Sequence, residues 1–521
     1  MTDRSDVAGP RLADLVAALS LATDLGMGQP MQQALRTCLL SVEAGRELGL
    51  AEETLSDVYY LSLLRFVGCT SDAHEEAAKV GGEEIAFRAA LAPVLMADTP
   101  EFLRQMIRHF AEGSPPLTRL RLFAAALAEG SGGAKKQLAV HCEVAQMLAR
   151  RVGLRETVGE CVAHVFERWD GKGLPGELAG EAIPIAARIV AAARDVDVLY
   201  RLGGWELVAD VLRRRRARAY DPAVVDLFLE RGERPIAAAG GDSPWEAVLA
   251  CEPSPQTRIS ESRLDEVLSA FADFADLKSP FTRGHSPGVA KLADAAARDA
   301  GLPAADVADL RRAALVHDLG RTGIANGIWD KPAALSAEEW ERVRLHPYLS
   351  ERLLSHSPTL GRLAALAGSH HERLDGSGYH RGSRASALPA AARILAAADA
   401  FQAMTQPRPH RPAFAATAAA TQLRHEVSEG KLDHDAVQAV LAAAGQAETR
   451  PRHAWPAGLT DREVEVLRLI SRGASNRVVA TELTISVKTV GRHVENIYNK
   501  IGVSSRPAAA LYAMEHDLIQ G

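Results

Sequence analysis

Cysteine is scarce in this chain. Five occur in 521 residues (Cys38, Cys69, Cys142, Cys161 and Cys251), an odd number without a C-x-x-C pair. That excludes a disulfide frame and a cysteine-ligated zinc finger, and it reads as reduced, packed thiols in a cytoplasmic protein. Aromatic residues make up only 5%, and alternating apolar/polar runs are few, which argues against a sandwich or barrel of strands. No charge-free window is long enough to span a bilayer. The start, Met1-Thr2-Asp3-Arg4-Ser5-Asp6, carries two acids and is no signal peptide. Nor is there a large charge of one sign. The net charge of −6 excludes bulk polyanion binding but leaves room for a local DNA-binding module.

What is present is helix-forming. Long Ala/Leu/Val/Arg-rich segments, broken by Gly and Pro, predict an all-α chain, and its length implies several domains. Residues 1–230, opening on a lead-in helix and loop over 1–30, form a first helical unit. A Gly/Pro-rich linker over 231–262 follows, then a second unit over 263–445. A second linker covers 446–458, and a small third unit covers 459–521.

The first two units read as an internal repeat. Leu61–Thr70 lines up with Ala313–Thr322 at a spacing of 252 residues, from Arg65 to His317. Phe166–Gly173 lines up with His371–Gly378 at a spacing of 205, from Asp170 to Asp375, so the first copy carries 47 extra residues between the two motifs. Glycines and apolar positions persist between the copies while the chemistry differs. His317, Asp318, His370, His371 and Asp399 face Arg65, Phe66, Val165, Phe166 and Arg194, and His285 faces Gln33. Only His346 keeps a histidine counterpart, His141. The first unit is therefore a copy of the fold without the ligands.

Adjacent residues on a helix point about 100° apart, so the pair His317-Asp318 makes sense where both serve one metal cluster, imidazole as nitrogen ligand and carboxylate as bridge. Asp399 lies among Ala396, Ala397, Ala398 and Ala400, where an unpaired carboxylate would be costly. A mixed His/carboxylate set suits iron, manganese or zinc.

These motifs, in order, resemble the HD-GYP family, a branch of the HD-domain metal-dependent phosphohydrolases. The carrying residues are Phe281-Thr282-Arg283-Gly284-His285, His317-Asp318, Lys331-Pro332, His346-Pro347, His370-His371-Glu372-Arg373, Asp375-Gly376-Ser377-Gly378-Tyr379, Asp399, and Arg408-Pro409-His410-Arg411. The resemblance implies two tandem HD-like bundles, the first degenerate. It implies a metal set of His285, His317, Asp318, His346, His370, His371 and Asp399, holding two divalent ions. Two such ions about 3.5–4 Å apart can lower the pKa of a bound water toward about 7 and stabilise both reacting oxygens of a phosphodiester. The expected substrate is a cyclic dinucleotide such as cyclic di-GMP. Asp318 and Arg321 take catalytic roles, and Arg408, Arg411 and Tyr379 take substrate-binding roles. The sequence departs from the pattern at Arg321, where the family has lysine, at His380, where it has the name-giving proline, and at Gly382-Ser383-Arg384. An alternative follows from these departures: the same pocket only senses a metal or nucleotide and turns over nothing. His356, His380, His410, His425, His434 and His453 read as surface histidines.

Residues 459–506 resemble the LuxR-type helix-turn-helix. Thr460 and Glu463 form a capping box, Ser486 caps a helix carrying Val487, Val490, Val494, Ile497 and Ile501 on one face, and Gly502 closes it. Lys488, Thr489, Arg492, His493 and Asn496 occupy the other face and suit a major groove of double-stranded DNA. Eight Lys/Arg against seven Asp/Glu over 459–521 give a weak field, which favours a homodimer on paired half-sites.

Overall fold

The computed structural model describes residues 9–95, 99–241, 243–447, 455–516 and 518. Among them the chain is helical, with only isolated bridges and no sheet. No helix among the described residues is long and apolar enough to cross a membrane. The chain divides into two compact units, 1–446 and 447–521. Most of the second expected linker, 448–454 with His453, lies outside the described residues.

Within 1–446 the repeat is visible as geometry. Gln33–Glu47 and Glu52–Leu64 recur as His285–Asp299 and Ala304–Val316, with equal lengths. The residue before each leading helix is left-handed in both copies, Gln32 at φ 73° and Gly284 at φ 72°. Gly284 takes that angle without strain, whereas Gln32 does so at a cost. Glu167 and Glu372 do the same work 205 residues apart. The first accepts from the backbone N–H groups of Gly176, Glu177 and Leu178, the second from those of Arg381 and Ser383. The extra residues of the first copy form helices at Ala73–Lys79, Glu84–Leu91 and Thr99–His109 and lengthen Pro116–Val152.

Two parts of the sequence reading change. The lead-in helix, Leu12–Gly26, is a core element: Leu12, Leu15, Leu19 and Leu21 are all buried. It is apolar nearly all round, the pattern of a helix enclosed on every side, and it packs on Glu52–Leu64 and on the 3₁₀ turn Leu319–Gly323. The stretch read as a linker, 231–262, contains the helices Arg234–Ala239 and Pro244–Cys251, with Trp245 and Val248 buried. Pro235 and Pro244 sit in first helical turns, where no N–H is needed. The two copies are also tied by a buried ion pair, Lys278 Nζ to Glu84 Oε1 at 3.1 Å, and Glu84 Oε1 further accepts from the N–H of Asn326.

Residues 447–521 form their own small core around Val464, Leu467, Ile470, Val479, Val490 and Ile497. The helices are Asp461–Ser471, Asn476–Glu482, Val487–Ile501 and Arg506–Glu515. The last, with Ala509 and Ala513 buried, packs on the first.

Candidate functional site

The ends of three helices converge in the second copy, and each delivers a histidine. His317 caps Ala304–Val316, His346 follows Ala337–Arg344, and His370 follows Gly361–Ala367. The last turn of a helix leaves carbonyls without intrahelical partners. Each imidazole uses one three residues upstream: His317 Nδ1 donates to Ala314 O at 2.7 Å, His346 Nδ1 to Val343 O at 2.6 Å, and His370 Nδ1 to Ala367 O at 2.7 Å. A carbonyl can only accept, so Nδ1 carries the proton in all three. The Nε2 atoms then point into the site, the arrangement that second-shell acceptors impose on metal-binding histidines, and they are bare at His346 and His370. The negative ends of three helix dipoles favour a cation there.

His285 begins His285–Asp299. Its Nδ1 is 2.9 Å from Gln406 Oε1 and its Nε2 3.1 Å from Asp399 Oδ1. Asp318 is the hub. Its Oδ1 lies 3.5 Å from His346 Nε2 and 3.6 Å from His370 Nε2, and its Oδ2 lies 3.6 Å from His317 Nε2 and 3.8 Å from His285 Nε2. Asp399 Oδ2 faces His371 Nδ1 at 3.7 Å. The seven residues thus meet, with overlapping triads His346/His370/His371, His285/His317/Asp399 and His317/Asp318/His370.

Burial opposes the charge on Asp318, but His317 and the Arg321 guanidinium hold it well below the usual carboxylate range. Asp399, equally buried, is held low by His285 and His317. Burial pushes His346 down to about 4 and His370 down to about 3, so both imidazoles are neutral and fit to ligate.

Two observations test whether metals fit. His346 Nε2 and His370 Nε2 are 3.1 Å apart, yet both rings spend their proton on a backbone carbonyl, so two lone pairs face each other. His317 Nε2 is buried without a hydrogen-bond partner. A cation coordinated between these atoms resolves both, and the donor set suits iron, manganese or zinc. The residues fit the ions.

The cavity above the cluster measures about 690 Å³ and is lined by Arg321, Trp329, Lys331, Tyr379, Arg408 and Arg411 among others. Arg321 donates to Asp318 Oδ2 at 3.1 Å and lies 3.8 Å over the Trp329 ring. Arg408 donates to Phe281 O, and burial beside Arg321 lowers it to about 10. Tyr379 lies 4.7 Å from the His371 ring, and burial pushes its phenol up. Arg411 lines the cavity too, but its guanidinium is spent on the carbonyls of Ala403, Met404, Gln406 and Pro412. It shapes the loop around Arg408. Sequence reasoning missed Trp329, Gln406 and the helix-end carbonyls. Only spatial proximity reveals the first two, whereas a histidine just beyond a helical run is a usable signal for the third. His380, read as a surface residue, is half-buried, its ring 5.6 Å from Tyr348 and its Nε2 3.5 Å from Glu351.

In the C-terminal unit the Thr460/Glu463 capping box forms, and Lys500 Nζ joins it at 2.7 Å from Glu463 Oε2. Ser486 accepts from the N–H of Thr489, and Gly502 closes the helix at φ 70°. Lys488, Thr489, Arg492 and Asn496 are exposed and His493 is partly so. Val487, placed with the apolar stripe by its spacing, is 51% exposed, because the first turn reaches past the core that Val490 and Ile497 enter.

Residues 134–224 and 269–436 match the HD-domain family model, and residues 457–513 match bacterial regulatory proteins of the luxR family. A 3'3'-cGAMP-specific phosphodiesterase of Vibrio cholerae serotype O1 is 30% identical over 77% of this chain and 88% of its own length. A cyclic di-GMP phosphodiesterase of Thermotoga maritima is 36% identical over 28% of this chain and 39% of its own length. The crystal structure of a cyclic GMP-AMP specific phosphodiesterase of V. cholerae superposes with a TM-score of 0.59 at 27% identity, covering 84% of this chain and 98% of that one.

Proposed function

Because the chain belongs to the HD-domain family and ends in a luxR-family regulatory domain, we propose that it is a metal-dependent phosphodiesterase for a cyclic dinucleotide, joined to a DNA reader. The observation that carries this reading is the convergence of four Nε2 atoms and two carboxylates on one centre, three of the imidazoles fixed by helix-end carbonyls. His285, His317, Asp318, His346, His370, His371 and Asp399 would hold two divalent ions. Those ions would supply Lewis acidity at phosphorus and a water acidified toward about pKa 7.

The protein's own groups do the rest. Asp318 and Asp399, held ionised by their neighbours, balance the ions' charge. Arg321, braced between Asp318 and Trp329, presents a fixed cation to a phosphate oxygen, and unlike the family's lysine it cannot give up a proton. Arg408 adds a second cation. Trp329 and Tyr379 offer apolar faces, and a cavity of about 690 Å³ accommodates a dinucleotide ring. The reader presents Lys488, Thr489, Arg492, His493 and Asn496 to the groove, and its weak net charge favours two copies on paired half-sites.

The test is anaerobic incubation of the purified full chain with manganese or iron and either 3'3'-cGAMP or cyclic di-GMP, beside Asp318→Ala. Linear or mononucleotide product that disappears in the variant is expected. Bound metal and bound nucleotide without product would refute the enzymatic reading and leave a sensing pocket that regulates the DNA reader.

A further inference from the structure

The first copy keeps a cavity where the second copy keeps its metal cluster. It measures about 330 Å³ and includes Arg65, Phe66, His141, Val165, Phe166 and Arg194, the counterparts of six of the seven ligands. The remaining wall is largely apolar, with Phe87, Phe102, Met106, Phe110 and Leu138.

Arg65 is the feature that needs an account. It is 9% exposed, and its Nε and Nη1 are buried without a hydrogen-bond partner. Its guanidinium lies 5.3 Å from the ring centroids of both Phe66 and Phe166. Arg194, its guanidinium 5.4 Å from the Phe66 ring centroid, pairs with Asp195 at 2.8 Å yet also leaves a buried Nε unpartnered. Asp195 is already claimed by Arg194, Arg215 and Tyr220. A buried cation without a counter-charge is costly, and a ligand anion between Arg65 and Arg194 removes that cost. The other cations on the wall have their own partners: Arg88 with Glu76, Arg168 with Asp170, and His141 with Asp72.

We propose that this cavity binds an organic monoanion, specifically a carboxylate with an apolar chain or ring, its head against Arg65 and Arg194 and its body among the phenylalanines. The volume limits the class. It is about half that of the second-copy cavity, too small for a cyclic dinucleotide with two phosphates. The proposal is independent of whether the second copy turns over its substrate.

The experiment uses the full chain with manganese present throughout. Octanoate, decanoate and benzoate are titrated by calorimetry and by thermal melts, beside the neutral octanamide, decanol and benzamide, and beside cyclic di-GMP for comparison. At least one carboxylate is expected to bind and raise the melting temperature by several degrees at saturating concentration, while its neutral analogue does not. Arg65→Met is expected to weaken that binding by roughly 10- to 100-fold, the loss of a charge-assisted hydrogen bond, while melting at or above the wild-type temperature because it removes an unpaired buried charge. Three results would overturn the proposal: none of the carboxylates binds, the neutral analogues bind equally, or a folded Arg65→Met retains full affinity. If Arg65→Met fails to fold, the comparison of carboxylate with neutral analogue on the wild-type chain decides alone.

Discussion

A pair of glycines offers a controlled test of the metal centre. A Cβ on Gly320 would lie 2.1 Å from His346 O and 2.5 Å from Ser350 N. A Cβ on Gly68, its counterpart 252 residues earlier, would lie 1.9 Å from His141 O. To restore an ordinary contact of 3.4 Å, either carbonyl must retreat by more than 1 Å. Overpacking of this kind costs about 1–3 kcal/mol, so Gly320→Ala and Gly68→Ala should lower the melting temperature of the metal-stripped protein to a similar extent. Their effects on metal should diverge. The carbonyl displaced by Gly320→Ala belongs to His346, so that imidazole moves with the start of its helix, and Gly320 N–H also loses its bond to Ser350 Oγ at 2.8 Å. Disturbing the support of a ligand lowers metal affinity by roughly 10- to 100-fold, and a shift of about 1 Å costs turnover on the order of 100-fold. Gly68→Ala moves His141, which ligates nothing in this reading. The assay is metal content by mass spectrometry after dialysis against manganese, with melts recorded with and without the ion. Gly320→Ala retaining wild-type metal affinity, or Gly68→Ala losing as much, would refute the reasoning.

Glu84→Gln should destabilise the first unit by about 3–5 kcal/mol, because it strands Lys278 as a buried cation; adding Lys278→Met should recover most of that in denaturant melts. Burial pushes Asp24 up to about 8 from its ordinary 3.8. Its carboxyl keeps a proton in the folded state that the unfolded chain has released, so stability falls as pH rises from about 4 toward about 8. Asp24→Asn should therefore gain on the wild type over that window, the gap in melting temperature widening by a few degrees between pH 5 and pH 8, and a constant gap would contradict it. Arg492→Ala and Lys488→Ala should each weaken duplex-DNA binding in gel-shift titrations, and a phosphate-contacting side chain should lower the salt slope by about 1.

Much of the centre was legible because its residues are chemically expensive. A histidine beside an aspartate at the end of an apolar run, or Asp399 in a stretch of alanines, has few uses other than coordination, and both lie in the cluster. The repeat was legible because glycines that admit a backbone contact cannot vary. Gly68 and Gly320 both face the carbonyl of the matching histidine, and Gly173 and Gly378 both leave no room beside the preceding Glu-Arg backbone. Less legible was whatever depends on how elements meet. Leu12–Gly26 reads only as a lead-in helix until its neighbours are known, because its uniform apolarity shows burial but not against what. The 231–262 stretch has the composition of a connector, yet Pro235 and Pro244 begin helices, and the second of them buries Trp245. Arg411 looks like Arg408 in sequence, but four carbonyls take its donors.

The same logic explains how the two copies diverged. Once His317, Asp318, His371 and Asp399 are replaced by Arg65, Phe66, Phe166 and Arg194, the first copy is no longer built for a cation: two guanidiniums line that volume, and the positions of both bridging carboxylates hold Phe66 and Arg194. A drift toward mere packing would have filled the space with aliphatic side chains, which cost nothing to bury. Instead the position retains a cavity, two arginines with unsatisfied donors and two aromatic faces. The sign of the site has been inverted rather than erased. A fold that gathers helix ends around one point can serve either charge, depending on whether the residues beyond those ends are histidines and aspartates or arginines and phenylalanines.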